Sequence, residues 1–226
     1  PDDTLIMIRG LNARNGCASW WTMARNLESF GFKIINSVKC NEICNDKWYN
    51  QIIFQRYDVR TPATVLIRHS EGALDAAEQL LYRESPYVDI LLQEHIKTEY
   101  DVRVIVVGGE ILGAMKRPII EGDFRSNVSQ GSEPEVFKLT ELEKEESLRA
   151  AEVVDGDIVG VDFIPSSDRN KDHPYFIEVN STPGLVGIEA VLSQAGSKAI
   201  VKDKKEKGIS ITTEILKKYM NRDLWK

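Results

Sequence analysis

An alternating run of valines followed by two glycines constrains the fold of this chain more than any other local pattern. Valines occupy every second position from 102 to 106, Gly108 and Gly109 follow, and a second apolar run covers residues 111–115. A two-residue Gly-Gly connection favours a tight β-hairpin, because both central positions need a positive φ. The pattern therefore predicts two adjacent antiparallel strands in the middle of the chain.

The first 35 residues predict a β-α-β unit, with strands at 4–8 and 32–35 and a helix at 16–30 that Gly31 can end. Such an opening is typical of a small α/β layer. The other expected elements follow from periodicity, capping and turn residues. They are a helix at 46–56, a strand at 64–67, a helix at 74–82, a strand at 88–93, a long loop at 118–136, a helix from the capping box of Thr140 and Glu143 to about residue 154, a helix near Ile188, a charged linker at 202–207 and an amphipathic helix over 211–219.

Two further strand-like runs carry oxygen-bearing side chains. Asp162 lies in the run 158–164, and Glu178 and Asn180 close the run that begins at Tyr175. Side chains alternate faces along a strand, so Glu178 and Asn180 share one face, and antiparallel pairing would set Asp162 beside Glu178. Two carboxylates and an amide oxygen suit Mg²⁺, which keeps several waters. The alternative is a polar strand edge facing water, which the tripeptide at 178–180 favours when it is taken alone.

Three other polar groups can each be interpreted either as part of a site or as an ordinary solvent-exposed group. Asp101 and Arg103 share one face of the first hairpin strand, where Arg103 could bind a phosphate or form a surface ion pair. Arg117 ends the hairpin as part of a Lys-Arg pair, which is ordinarily solvated. Arg125 and Asn127 lie in the long loop, which could close over an anionic substrate or simply face solvent.

Composition limits the function classes. The chain has 226 residues with 42% hydrophobic and 28% charged, an ordinary globular composition, and its net charge of −6 argues against a general nucleic-acid binder. No apolar run reaches the length of a membrane span and no secretory signal is evident, so we expect a cytoplasmic protein with no membrane partner. Cys40 and Cys44 could face one another on a helix, but zinc would need two more ligands, so these and Cys17 are interpreted as reduced thiols.

The order of the polar motifs resembles that of the RimK-type ATP-grasp ligases, which are the ribosomal-protein glutamate ligases and their relatives. The resemblance covers most of the chain up to about residue 200, and its specific parts are residues 122–127 and 178–185. Supporting segments are residues 45–47, 93–96, 101–103, 114–117 and 160–162.

The resemblance implies an α/β (α+β) ATP-grasp fold with a small Rossmann-like pre-ATP-grasp part at the N-terminus. It divides the chain into a remnant of the pre-ATP-grasp domain at 1–44, a first ATP-grasp lobe at 45–90, and a C-terminal lobe with the metal and nucleotide site at 91–226. It implies an ATP-dependent, ADP-forming carboxylate–amine ligase that acts through an acyl phosphate. Such an enzyme would add glutamate or a similar amino acid to a peptide or protein, and it could form a homo-oligomer.

The resemblance also implies roles for individual residues. Two Mg²⁺ ions, which Mn²⁺ could replace, would be held by Asp162, Glu178 and Asn180. ATP would be bound by Lys47, Glu94, His95, Asp101, Arg125, Ser126 and Asn127. The catalytic arginines would be Arg125, Arg117 and Arg103.

One departure from the family pattern leaves other functions open. Relatives carry additional strands between elements like those at 64–67 and 74–82, and these strands supply a lysine and a glycine-rich loop that cover ATP. Here residues 68–72 alone join the two elements, and we expect that the covering strands are omitted from the sequence rather than lost. The alternatives are a small-molecule amino-acid or dipeptide ligase of the same fold, and a pseudoenzyme or binding module without the covering lobe.

Overall fold

The computed structural model of this protein describes residues 4–8, 18–67, 90–119, 135–185 and 187–189. In chain order, the elements within these ranges are β1 (Leu5–Met7), α1 (Ala18–Ser29), β2 (Lys33–Ile35), α2 (Val38–Asn45), α3 (Lys47–Arg56), β3 (Thr64–Ile67), β4 (Ile90–Gln93), β5 (Tyr100–Val107), β6 (Glu110–Pro118), β7 (Glu135–Val136), α4 (Glu141–Val153), β8 (Ile158–Ile164) and β9 (Tyr175–Asn180).

The predicted β-α-β unit is confirmed. β1 and β2 pair in parallel, and α1 connects them. Gly31 has a φ of 84°, a backbone conformation that glycine adopts without steric cost, and it follows the end of α1 as expected. Ala24 of α1 packs against Ile34 and Val38 in a small apolar cluster.

A five-stranded antiparallel sheet forms the centre of the described structure, in the order β7-β6-β5-β8-β9. The predicted hairpin is its β5–β6 pair, and both turn glycines have positive φ, 53° at Gly108 and 74° at Gly109. The predicted pairing of β8 with β9 is also antiparallel, and Asp162 lies directly opposite Glu178. β3 and β4 form a separate two-stranded antiparallel sheet.

The first face of the five-stranded sheet is apolar and fully covered. Valines of β5 and β8 lie with Phe163 and Phe176 in one buried cluster that also includes residues of α2, α3 and α4. The rings of Phe163 and Phe176 lie 5.6 Å apart in a tilted arrangement. Burying one such side chain contributes about 1.5–3 kcal/mol, so this face supplies most of the packing that supports the sheet.

The outer edge of the sheet, β9, is capped by side chains of α3. Gln51 Nε2 donates to Ile177 O at 2.7 Å, and Asn50 Nδ2 donates to Val179 O at 3.4 Å. These bonds satisfy carbonyl groups that an edge strand would otherwise leave unpaired. The helix therefore fixes the position of the strand that carries Glu178 and Asn180.

Asn36 joins the β-α-β unit to the same sheet. Its Nδ2 donates to Ile158 O at 2.8 Å and to Ser181 O at 2.7 Å, and its Oδ1 accepts from Asp157 N at 2.9 Å and Ile158 N at 2.7 Å. The amide is buried and uses four hydrogen bonds, so it ties the start of β8 to the turn that follows β9.

Helix α2 is an element that the sequence patterns do not predict. Its buried face includes the polar Asn41, whose amide donates to Asn36 O and Ser37 O, so it lacks the apolar spacing of a typical surface helix. The predicted helix at 46–56 is α3, with Asp46 as its N-cap. Cys40 and Cys44 do face one another on α2, with their sulfur atoms 3.9 Å apart.

The capping box that opens α4 is confirmed in full. Thr140 Oγ1 accepts from Glu143 N at 3.2 Å, and Thr140 N donates to Glu143 Oε2 at 2.9 Å. Arg169, in the β8–β9 loop, makes two further hydrogen bonds to the carboxylate of Glu143. The loop between the two site-bearing strands is thereby anchored to α4.

Several predictions lie outside the described residues, namely the helix at 74–82, the connection 68–72, most of the long loop at 118–136, the linker at 202–207 and the helix at 211–219. The predicted strand at 88–93 is described as β4 from Ile90 onward. Of the helices described, none combines the length and the apolar character that crossing a bilayer requires. The predicted cytoplasmic location and the domain boundaries stay predictions.

Candidate functional site

The second face of the five-stranded sheet carries a row of charged side chains across four strands. Strand pairing sets Arg117 of β6 opposite Asp101 of β5, Arg103 of β5 opposite Asp162 of β8, and Asp162 opposite Glu178 of β9. Because side chains alternate along each strand, these five residues point away from the valine face. We call this set of five residues the charged row.

Asp162 is the most tightly held member of the charged row. Arg103 binds it with two parallel bonds, Nε to Oδ1 at 2.7 Å and Nη2 to Oδ2 at 2.5 Å, and Arg117 Nη2 lies 3.1 Å from Oδ2. Asp162 is 3% exposed. Burial alone would raise the pKa of this carboxyl, but Arg103 and Arg117 outweigh burial and hold the pKa below its ordinary value.

Arg117 connects Asp162 to Asp101. Its Nε donates to Asp101 Oδ1 at 2.7 Å and its Nη2 to Asp101 Oδ2 at 2.5 Å, while the same Nη2 contacts Asp162. Burial alone would lower the pKa of the Arg117 guanidinium, but Asp162 and Asp101 raise it. The interpretation of Arg117 as part of an ordinary solvated pair is wrong, because its side chain is only 5% exposed and bridges two carboxylates.

Glu178 has a more open environment at the β9 end of the row. Its Oε2 lies 3.1 Å from Lys47 Nζ, and its Oε1 accepts from Asn180 Nδ2 at 3.0 Å. The side chain of Glu178 is 22% exposed and that of Lys47 is 74% exposed. Asn180 Nδ2 also lies 3.4 Å from Asp162 Oδ2, so the amide joins the two carboxylates.

Gly160 explains how the segment after β9 reaches the row. A Cβ at this position would come within 2.9 Å of Pro183 Cβ and within 3.6 Å of the Arg103 side chain. Glycine therefore lets Pro183 lie directly on β8, beside the Arg103 stem, a close approach that no larger residue permits without a shift. This gives a physical reason for glycine two positions before Asp162.

The charged row adjoins an apolar cluster on the same face. Ile105, Met115 and Ile158 of the sheet pack with Ile35, Leu185 and Ile188, all of them buried. The residues that follow β9 thus cover the apolar part of this face. Arg103 lies one alternation from Ile105 on β5, and Asp162 lies two alternations from Ile158 on β8, so both belong to the same continuous strands.

The structure brings together most of the residues predicted for the site. These are Lys47, Asp101, Arg103, Arg117, Asp162, Glu178 and Asn180. Glu94 and His95 instead follow β4, where Glu94 Oε2 accepts from Ala63 N at 3.1 Å. Neither makes an ion pair with the charged row within the described ranges. Arg125, Ser126 and Asn127 lie outside the described residues.

The partners of the arginines are what the sequence patterns miss. Arg103 does not pair with Asp101, which shares its face of β5, but binds Asp162 on the neighbouring strand, and Asp101 binds Arg117. The register of the strands determines these partners, because β5 pairs with both β6 and β8 and each aspartate then lies opposite an arginine. Without that register, spacing along one strand suggests the wrong partner.

The donor set of Asp162, Glu178 and Asn180 fits a magnesium ion better than a softer metal. In the part of the chain that the structure describes, three or more His, Cys, Asp or Glu side chains are nowhere grouped as a metal site. Two carboxylates with one amide oxygen match a cation that keeps several waters. Asn180 at present gives N–H groups to both carboxylates, so its oxygen would face a cation after rotation of the amide.

A separate open cleft of about 650 Å³ lies away from the charged row. It is lined by the α1–β2 turn, the tip of the β5–β6 hairpin and the α4–β8 turn, including Glu28, Lys33, Asp155 and Asp157. Glu28 accepts from Val38 N, and Asp155 accepts from Ser37 Oγ. Among the described residues, none of those predicted for the site lines this cleft.

Residues 73–203, more than half of the 226-residue chain, match the RimK-like ATP-grasp domain. The chain belongs to the RimK-like ATP-grasp family. The predicted family and the predicted α+β ATP-grasp fold are thus confirmed.

Curated relatives of this RimK-like chain carry the name of glutamate ligases. The probable alpha-L-glutamate ligase of Psychromonas ingrahamii is 44% identical over 103 residues, which are 45% of this chain and 33% of the relative. A protein of the same name from Xanthomonas oryzae pv. oryzae is 42% identical over 153 residues, 62% of this chain and 50% of the relative. The chain therefore spans between a third and a half of the length of these relatives.

Solved ATP-grasp ligases share the fold of this RimK-like chain. The ligase PsnB, complexed with its minimal precursor, has a TM-score of 0.59 at 17% identity and covers 83% of this chain and 74% of its own. D-alanine–D-alanine ligase from Bacillus anthracis has a TM-score of 0.60 at 15% identity and covers 85% of this chain and 74% of its own. At these identities the likeness establishes the fold alone.

Proposed function

We propose that this protein is an ATP-dependent, ADP-forming carboxylate–amine ligase that adds glutamate or a similar amino acid to a peptide or protein. The observation that carries the proposal is the charged row. In a chain of the RimK-like ATP-grasp family, four strands place Asp162, Glu178 and two arginines on one face of the sheet. Such a face can bind a metal ion and a polyphosphate side by side.

In this proposal, the two ends of the charged row have different roles. Asp162, Glu178 and Asn180 hold Mg²⁺ ions at the β8–β9 end, and one or two ions would neutralise charge on the ATP phosphates when bound. Arg103 and Arg117 present forked donors that match phosphate oxygens. Lys47, 3.1 Å from Glu178, approaches the same phosphates from the first turn of α3.

The remaining proposed roles concern nucleotide binding and closure. Asp101 contributes to the nucleotide site by holding Arg117, which donates two parallel hydrogen bonds to it. Glu94 and His95 follow β4 and would receive the adenine, partly through backbone groups. Arg125, Ser126 and Asn127 would close on the nucleotide and the acyl phosphate.

The proposed reaction has two displacement steps. A substrate carboxylate oxygen attacks the γ-phosphorus of ATP and ADP leaves, which gives an acyl phosphate. The amine nitrogen of the second substrate then attacks the acyl carbon, phosphate leaves, and the amine loses one proton. The chain's own residues contribute mainly orientation and charge stabilisation, because no covalent enzyme intermediate is required.

The substrate class rests on relatives rather than on the described residues. Two curated relatives at 42–44% identity are named probable alpha-L-glutamate ligases. The solved ligase PsnB, of the same fold, was complexed with a precursor peptide. These names support an amino-acid donor and a peptide acceptor, whereas a small-molecule ligase of the same fold would accept free amino acids as both substrates.

The direct test is turnover by the full-length protein. We expect ADP release that requires Mg²⁺, glutamate and a peptide acceptor, and formation of an acyl hydroxamate when hydroxylamine replaces the substrate that supplies the amine. Glu178→Gln should reduce this rate by at least about a hundredfold, the scale for one lost charge-stabilising group. Glu141→Gln, which removes an exposed carboxylate from α4, is the matched control and should retain the wild-type rate.

The substrate panel separates the alternatives. Turnover with pairs of free amino acids and none with peptides would support the small-molecule ligase. Tight nucleotide binding with no ADP release for any acceptor, and no hydroxamate, would contradict the proposed ligase and support the binding module.

A further inference from the structure

We propose that Arg103 is a gate for the metal site, so that Asp162 becomes available to a divalent cation only when a phosphate group draws Arg103 away. The inference rests on the proposed function, because it concerns how the same site acquires its metal. It assigns Arg103 a role before catalysis, in controlling the order in which metal and nucleotide bind.

Asp162 accepts from three neighbouring side chains in the described arrangement. Arg103 binds one oxygen at 2.7 Å and the other at 2.5 Å. Arg117 at 3.1 Å and Asn180 at 3.4 Å also approach Oδ2. A carboxylate that accepts from three side chains and is 3% exposed offers little access to a cation from solvent while Arg103 stays in place.

The carboxylate of Glu178, in contrast, has partners that hold it more loosely. That carboxylate is held by Asn180 and by Lys47, whose side chain is largely in solvent and can move away at little cost. The Arg103 side chain, by comparison, is 18% exposed and uses both arms of its fork on Asp162. A cation could therefore approach Glu178 in the free protein, but it could not bridge to Asp162.

The charged side chains around Asp162 and Glu178 balance one another. Arg103, Arg117 and Lys47 carry three positive charges, and Asp101, Asp162 and Glu178 carry three negative charges, so the formal charge of these six side chains is zero. A divalent cation alone would add two positive charges beside two largely buried guanidinium groups. A polyphosphate supplies acceptor oxygens for the same arginines, which frees Asp162 at the moment when the metal arrives.

The gate implies reciprocal coupling between metal and phosphate. If a bound nucleotide raises the affinity for the metal, the metal must raise the affinity for the nucleotide by the same factor. Coupling of this kind typically amounts to about 5- to 150-fold. Removing the fork of Arg103 should abolish most of this coupling by making Asp162 available at all times.

The test is Mn²⁺ binding to the full-length protein, measured by electron paramagnetic resonance with and without saturating ADP. We expect weak Mn²⁺ binding to the free wild-type protein and a gain of about tenfold or more on adding ADP. Arg103→Met should bind Mn²⁺ about tenfold more tightly than the wild type without ADP, with little further gain when ADP is present. Arg103→Lys keeps the charge but loses the fork, so its Mn²⁺ affinity without ADP should lie between those of the wild type and Arg103→Met. This variant replaces Arg103→Met in the test if the methionine variant does not fold.

The matched control is Lys116→Met, which removes a positive charge from β6 on the opposite face of the sheet and leaves Arg103 on Asp162. We expect its Mn²⁺ affinity without ADP to stay within roughly threefold of the wild type, because exposed charges are screened. An equal gain in Lys116→Met and Arg103→Met would overturn the gate, since general charge would then explain both. No gain in folded Arg103→Met or Arg103→Lys would overturn it as well.

The outcomes also separate the gate from the proposed function. If the wild-type protein binds Mn²⁺ and ADP together tightly but the Arg103 variants gain nothing without ADP, the gate is wrong and the nucleotide site stands. If the wild-type protein binds neither ADP nor Mn²⁺–ADP, the proposed function itself fails, and the gate fails with it.

Discussion

The two faces of the five-stranded sheet are built from the same strands but have opposite character. On the first face, valines and phenylalanines pack against α2, α3 and α4. On the second face, four of these strands carry five charged side chains, of which Asp101, Arg117 and Asp162 are buried. Alternation along each strand therefore separates a packing surface from a chemical surface by the thickness of one sheet.

The difference shows that the second face is not arranged for stability alone. Burying charged groups carries a desolvation cost that a paired geometry offsets only in part, and apolar residues of similar volume are often no less stabilising. The valine face carries no such cost. We therefore expect substitutions on the first face to affect mainly folding, and those on the open end of the second face to affect mainly ligand binding.

Phe163→Ala should have the largest effect on stability. Phe163 is fully buried and its ring lies 5.6 Å from Phe176 and 6.5 Å from Phe137, so truncation leaves a cavity between two aromatic neighbours. We expect a loss of about 3–5 kcal/mol in the free energy of unfolding, measured by urea denaturation. Phe163→Leu is the control and should lose less than about 1.5 kcal/mol. A loss below about 1 kcal/mol for alanine would contradict the assignment of this face as the core.

Gly160→Ala should have an intermediate effect on stability, because it disturbs the contact between β8 and the turn that follows β9. The added methyl group would lie 2.9 Å from Pro183 Cβ, so the turn must shift. We expect a loss of about 1–3 kcal/mol in the free energy of unfolding. Gly184→Ala is the matched control, since a Cβ there meets nothing within 4 Å. Equal losses in both variants would show that Pro183 does not lie against β8 as described.

Glu178→Gln should have the smallest effect on folding. Its partner Lys47 is largely exposed, and a pair of this kind contributes little to the free energy of unfolding. We expect urea denaturation of this variant to match that of Glu141→Gln closely. A large loss of stability would break the proposed division between the packing face and the chemical face, because the open end of the row would then support the fold.

Much of this division could be predicted from local sequence. The alternating valines, the Gly-Gly turn and the spacing of Glu178 and Asn180 each depend on neighbours along the chain, and all three predictions are confirmed. The capping box of α4 is equally local. Features that depend on side chains within a few positions of one another are therefore accessible before the structure is known.

The partners of Arg103 and Arg117 could not be predicted in the same way. Arg103 and Asp162 are 59 positions apart, and their contact depends on the register between β5 and β8. Helix α2 was missed because its buried face contains Asn41, whose hydrogen bonds replace the apolar spacing that marks most helices. In both cases tertiary contacts determine the outcome.

The measurement that tests the central claim most directly is the thermal stability of the full-length protein with a non-hydrolysable ATP analogue, with and without Mg²⁺. At about 100 times its Kd, a bound ligand should stabilise the wild-type protein by roughly 2.7 kcal/mol. We predict a rise in Tm that requires Mg²⁺ and disappears in Glu178→Gln, while Glu141→Gln behaves as the wild type. A rise that persists in folded Glu178→Gln, or no rise in the folded wild-type protein, would contradict a metal–nucleotide site on the charged row.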